Sequence, residues 1–169
     1  DAAGIQIVRE SIAKVSPDAI VVDATSPIRV DNPEIIKGKK VLVVEDGPTL
    51  THGEMKFGAG TIAANKFGAA ALIDPRPYTV GRLSETFKLY PEIGTLLPAM
   101  GYDQQQLKDL ETTINSTACD SVIIGTPIDL NRIIDIKKPS TRVYYDLVEI
   151  GSPNLEGILS DFVKRQNLY

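Results

Sequence analysis

Apolar residues recur along this chain in two alternating rhythms. Short, nearly continuous apolar runs, VLVVE (41–45), AAALI (69–73), DSVII (120–124) and TRVYYDLV (141–148), are separated by stretches in which apolar positions return every three or four residues. The first rhythm belongs to strands buried on both faces, the second to amphipathic helices. Helical spacing predicts helices over 3–15 (Ile5, Val8, Ile12, Val15), 54–67 (Met55, Ala59, Ile62, Ala63, Phe67), 82–90 and 103–115 (Leu107, Leu110, Ile114). A last helix turns Leu155, Ile158, Leu159, Phe162 and Val163 inward. Start and stop signals fit this reading. Gly68 ends the second helix, Asp103 and Gln106 are spaced for a capping box, and Ser152 with Pro153 opens the final helix. AIVVDA (19–24) reads as a short strand. SPIRVDNPEIIKGKK (26–40) reads as a connection with one helical turn at 33–37, and IGTLLPAMG has no clear period.

Apolar strands alternating with amphipathic helices imply α/β architecture: a doubly wound, mostly parallel sheet in a Rossmann-like three-layer fold. The boundary falls near residue 38, with 39–169 as the Rossmann-like domain including the C-terminal helix, and 1–38 as the end of a preceding domain plus linker. The chain opens at Asp1, without Met and inside a helical pattern, so a fragment of something longer is expected.

Composition narrows the partners. With 169 residues, a net charge of −4 and no basic run, neither nucleic acid nor an anionic membrane surface is an expected partner. Cys119 is the single cysteine, which excludes an internal disulfide and fits a reducing, cytoplasmic setting. No apolar run approaches the length of a membrane span.

In doubly wound folds ligands bind beyond the carboxyl ends of the strands. That rule gathers three loops, EDGPTLTHG (45–53), DPRPYTVG (74–81) and GTPIDL (125–130). Glu45 and Asp46 could hold Mg²⁺ through one carboxylate, although Asp-Gly-Pro is also strong turn chemistry. Thr51 and Glu54 read as a capping box, while the helix start they mark, with Thr49, Gly53 and Lys56 nearby, could also receive an anion. His52 lies at the same helix start between acidic neighbours and is a candidate ligand contact, as is Asp46 for catalysis. Prolines on either side of Arg76 would aim its guanidinium at a phosphate, with Asp74 beside it. Thr126 reads chiefly as an N-cap, with Pro127 at N1 and Asp129 at N3. Cys119 has no basic neighbour in sequence to activate it and reads as structural.

Two nucleotide motifs can be tested directly. No GxxxxGK[ST] loop exists: Gly53 and Gly58 have the glycine spacing, but Ala59-Gly60 follows. Gly58-Ala-Gly60-Thr-Ile-Ala63 matches GxGxxA, but its glycines lie within the expected helix, where close helix–sheet packing explains them better than a pyrophosphate.

VVEDGPTLTHGEMKFGAG, IDPRPYTVGRLSETFKLYPEIGTLLPAMGYD, LETTIN and VIIGTPIDLNRII together resemble the C-terminal half of the cyclic 2,3-diphosphoglycerate synthetase family. That family includes relatives described only as predicted GTPases. The resemblance implies a P-loop NTPase core ahead of this chain, with 1–38 as its C-terminal end. It makes Asp1 the last position of an Asn-Lys-x-Asp base motif, hence nucleotide-binding. It further implies ATP or GTP with Mg²⁺, and a phosphorylated acceptor met by Arg76, Lys56 and His52. The family pattern places Gly where this chain has Glu54.

Three readings compete. The chain is the acceptor-substrate part of a nucleotide-dependent phosphoryl-transfer enzyme, partnered by its own P-loop region and inactive alone. Or it is a non-catalytic Rossmann-like module that binds a phosphorylated metabolite or dinucleotide. Or it is a structural or dimerisation domain, with a second copy as partner.

Overall fold

The computed structural model describes residues 2–47 and 57–166. Within these, five α-helices occur: α1 Ala2–Val15, α2 Ala59–Lys66, α3 Gly81–Leu89, α4 Gln104–Ser116 and α5 Leu155–Arg165. The strands are β1 Ala24–Thr25, β2 Arg29–Val30, β3 Lys40–Asp46, β4 Ala71–Leu72, β5 Leu97–Ala99, β6 Ser121–Gly125, β7 Ser140–Tyr144 and β8 Val148–Glu149.

β3 is the centre of a six-stranded, mostly parallel sheet, and the architecture is the α/β, Rossmann-like, three-layer one that the apolar rhythm predicts. One side of β3 pairs in parallel with β6, from Val41↔Ser121 to Glu45↔Gly125; β7 follows in parallel and β2 closes that edge antiparallel. β6 occupies one side, so the other is shared: β4 pairs with its start at Lys40–Val41 and β5 with its end at Val44–Asp46. Val41, Leu42, Val43 and Val44 are wholly buried, as are Val122, Ile123 and Ile124. That explains why these strands read as unbroken apolar runs rather than alternating ones. The chain leaves β3 toward β4 and β5, then crosses to β6 and β7. Strand order therefore reverses outside the carboxyl ends of β3 and β6, where open α/β sheets bind ligands.

The chain divides into two compact units. Residues 27–146 form the sheet unit. Residues up to Ser26, together with those from Leu147 onward, form a terminal unit of α1, α5 and the β1–β8 antiparallel ribbon, with register Ala24↔Glu149. The final helix thus groups with the N-terminal segment, whereas the sequence reading drew one boundary near residue 38. The sheet unit holds the whole buried core; among the described residues of the terminal unit none is buried.

Several local expectations change. The expected strand at 19–24 shrinks to Ala24–Thr25, and 141–148 splits between β7 and the separate ribbon. The final helix starts later than expected, with Asn154 as N-cap accepting from the Gly157 N–H at 2.8 Å. Its Leu155, Leu159 and Phe162 are exposed rather than inward. IGTLLPAMG contains β5, a strand too short to show a period. The helix expected from residue 54 begins at Ala59, for a reason that lies at the candidate site.

Candidate functional site

β3 ends in Glu45-Asp46, and Glu45 is almost fully buried at 2% exposure. Its carboxylate faces the first turn of α2. Oε1 accepts from the N–H groups of Gly58 (3.1 Å) and Thr61 (2.8 Å) and from the Thr61 hydroxyl (3.0 Å), and Oε2 accepts from the Gly60 N–H (3.2 Å). Gly58 is the N-cap of α2 and has no capping side chain of its own. Glu45 does that work from 13 residues away. A carboxylate here meets the free N–H groups and the positive end of the helix dipole. This fixes the start of α2 at Ala59 and corrects the expected onset at 54. Burial pushes the Glu45 carboxyl above its ordinary range, against the opposing pull of these four donors.

The glycines of the GxGxxA match do approach an anion, but it is the chain's own. A Cβ on Gly58 would fall 2.5 Å from Glu45 Oε2 and one on Gly60 2.7 Å from Val43 Cγ1; outside the match, one on Gly125 would also fall 2.5 Å from Glu45 Oε2. The sequence therefore needs glycine for close packing around the capped carboxylate. The helix terminus that would cradle a phosphate in a nucleotide-binding version of this fold is already filled.

The other expected residues divide. Asp74 and Arg76 are together after β4, with Arg76 Nη1 2.9 Å from Asp74 Oδ2 and the Arg76 N–H donating to Asp74 Oδ1 at 3.0 Å. Arg76 Nη2 donates to the Ile93 carbonyl, and its guanidinium stacks 5.1 Å from the Phe87 ring centroid. Its partners brace the DPRPY loop to the segment that leads into β5. Thr126 is buried; its hydroxyl donates to the Ile128 carbonyl at 2.8 Å and accepts from the Ile128 N–H at 3.1 Å, closing the loop after β6. The cap on the following short 3₁₀ turn (Leu130–Arg132) is Asp129, not Thr126. Asp1, Thr49, Thr51, His52, Gly53, Glu54 and Lys56 lie outside the described residues.

Two side chains at the strand-order reversal escaped the sequence reading. Tyr102, just beyond β5, sits beside Thr126 and Asp46; burial first, and then the Asp46 charge, raise its phenol above the ordinary range. Arg142 on β7 reaches over the loop after β6, donating to the Pro127 carbonyl at 3.2 Å and pairing with Asp129 at 3.7 Å. A charge inside an otherwise apolar strand, as in TRVYY, was the available signal for Arg142. Tyr102 had none.

An Mg²⁺ ion was expected at Glu45 and Asp46. Glu45 is a poor donor for it, since a cation would have to displace four hydrogen bonds and sit against a helix N-terminus. Among the described residues no group of three or more metal-ligating side chains gathers. No described helix is long and apolar enough to cross a membrane.

Comparison with known proteins adds a substantial likeness. The chain is 61% identical over 160 residues to the arginine synthetase ArcE of Thermococcus kodakarensis, a match covering 95% of this chain and 36% of the relative. The chain therefore spans about a third of the length of the curated relative it matches. No family model matches, and no solved structure does.

Proposed function

We propose that this chain is the acceptor-side portion of a larger nucleotide-dependent ligase that acts on arginine or its precursor. The observation that carries this reading is the 61% identity maintained across 95% of the chain to a part of an arginine synthetase. Two features of the molecule support it. The chain holds no P-loop, and the helix start at its GxGxxA match is filled by Glu45, which fits a nucleotide held by another part of a larger protein. The terminal unit leaves Ile5 and Val8 on α1, and Leu159 and Phe162 on α5, exposed, apolar positions that the remainder of such a protein could cover.

In this reading ATP and Mg²⁺ supply phosphoryl activation of the acceptor. The part of the described residues in this reading is to shape the crevice. Asp46, Tyr102 and Thr126 line the reversal point, Arg142 holds the loop after β6, and Arg76 holds the loop after β4. Thr49, Thr51, His52, Gly53 and Lys56, which lie outside the described residues, supply substrate contacts in this reading.

The test is an assay of the full polypeptide encoded around this chain. It is incubated with Mg-ATP or Mg-GTP, ammonium and a ureido amino acid, with arginine formation and phosphate release measured together. Stoichiometric arginine and phosphate are expected. Consumption of 2,3-bisphosphoglycerate under the same conditions, with no arginine, would assign the cyclic diphosphoglycerate chemistry instead. Turnover of neither would leave a non-catalytic binding module.

A further inference from the structure

We infer that the cleft between α3 and α4 binds a free amino acid whose side chain ends in a cation. The choice of arginine within that class rests on the proposed function; the class itself follows from the cleft.

The cleft encloses about 240 Å³ at the carboxyl edge of the sheet, where both helices begin. That is smaller than the roughly 300–1,000 Å³ common for drug-sized ligands, and it suits an amino acid better than a nucleotide. Its apolar wall is Leu83, Leu110 and Met100, a surface for an aliphatic stem. Its polar groups carry both signs: Arg82, Glu85 and Asp109.

Asp109 decides the ligand's charge. It is only 6% exposed, yet its partners are N–H groups rather than a cation: the Arg82 backbone at 3.2 Å and Gln105 Nε2 at 2.8 Å. The Arg82 guanidinium pairs instead with Asp103, at 3.1 Å. With Arg82 paired to Asp103, the remaining acids Asp109 and Glu85 leave the cleft net negative, and Asp109 has only two neutral donors, so a cationic ligand is favoured over an anionic one. The backbone accommodates this carboxylate. Gly81 has φ +53°, and a Cβ there would fall 2.1 Å from Asp109 Oδ2. With a terminal guanidinium or ammonium at Asp109, the stem lies along Leu83 and Leu110. The α-carboxylate and α-ammonium are then left for Arg82 and Glu85 at the mouth.

The experiment is a methyl and amide NMR titration of the 169-residue chain with L-arginine, read at Met100, Leu83 and Leu110. Norleucine, which has an aliphatic side chain and no terminal cation, is the control. Saturable shifts with arginine and none with norleucine are expected. Asp109→Asn should weaken arginine by about tenfold or more, the usual effect of losing one charged, buried hydrogen bond. Glu85 is exposed, so Glu85→Gln should fold normally and weaken binding about threefold, as expected for an exposed ion pair. The proposal is overturned if arginine produces no saturable shift, if norleucine matches it, or if both variants bind like the parent. Failure here is distinguishable from failure of the ligase reading. If the longer protein still makes arginine with its KM unchanged by Glu85→Gln, the cleft falls and the ligase stands. If the cleft binds arginine but the longer protein makes none, the ligase falls and the cleft stands.

Discussion

Glu45 performs two opposed tasks, and their balance can be measured. Its four donors and the α2 dipole favour the carboxylate, while burial disfavours charge more strongly and raises the pKa above 4.5. A raised folded-state pKa means that the group's contribution to stability is complete below about 4.5 and is lost as pH rises through the folded value. Glu45→Gln removes this titration. The stability advantage of the parent over Glu45→Gln should therefore shrink as pH increases from 4.5 toward 7, read from urea midpoints at several pH values. A flat difference would mean that the carboxylate carries no net burial cost. Glu45→Ala is harsher, because it leaves the N–H groups of Gly58, Gly60 and Thr61 without their acceptor. A loss of ~3 kcal/mol is expected, with α2 fraying first.

At the scale of elements, the same arrangement sets opposite outcomes for two substitutions that look mild in sequence. Gly60→Ala would ordinarily stabilise a helix by roughly 1 kcal/mol. Here the added methyl meets Val43 Cγ1 at 2.7 Å, a β-branched core side chain that cannot swing aside, so a net loss of ~1–2 kcal/mol in chemical denaturation is expected. Asp103→Ala removes the side-chain half of the capping box on α4, the Asp103 carboxylate that accepts from the Gln106 N–H, and should cost about 1 kcal/mol. The exposed Arg82 pair lost with it adds little. These two helices also show what the chain made legible. The α4 cap is local, Asp103 to Gln106, and could be read directly. The α2 cap comes from another strand, so a local reading drew the onset at residue 54 and could not see Ala59. β5 was hidden because three residues, one of them Pro98, carry no period and pair only with the end of β3. At the site, Thr126 and Arg76 were found as residues, but their partners, Ile128 and Ile93, are fixed by folding. Tyr102 meets Asp46 only because β5 and β3 are neighbours.

For the whole molecule, the contrast between the two units is the informative feature. Periodicity correctly placed apolar stripes on α1 and α5, but a stripe records only what a helix could bury, not what covers it. In the sheet unit such stripes meet the core. In the terminal unit Ile5, Val8, Leu159 and Phe162 remain 49–59% exposed. The curated relative is nearly three times as long as the matched segment, with the match covering 36% of it. If the remainder of a longer polypeptide covers these side chains, Leu159→Lys and Phe162→Ser should differ in effect between two contexts. In the 169-residue chain each should change stability by no more than about 0.5 kcal/mol, as exposed positions do. In the longer protein each should cost roughly 2–4 kcal/mol, the range for truncating a buried apolar side chain, and ligase turnover should fall with assembly of the two parts. Thermal unfolding of both proteins with both variants reads this directly. Equal, small effects in the two contexts would mean that these side chains stay in solvent in the longer protein as well.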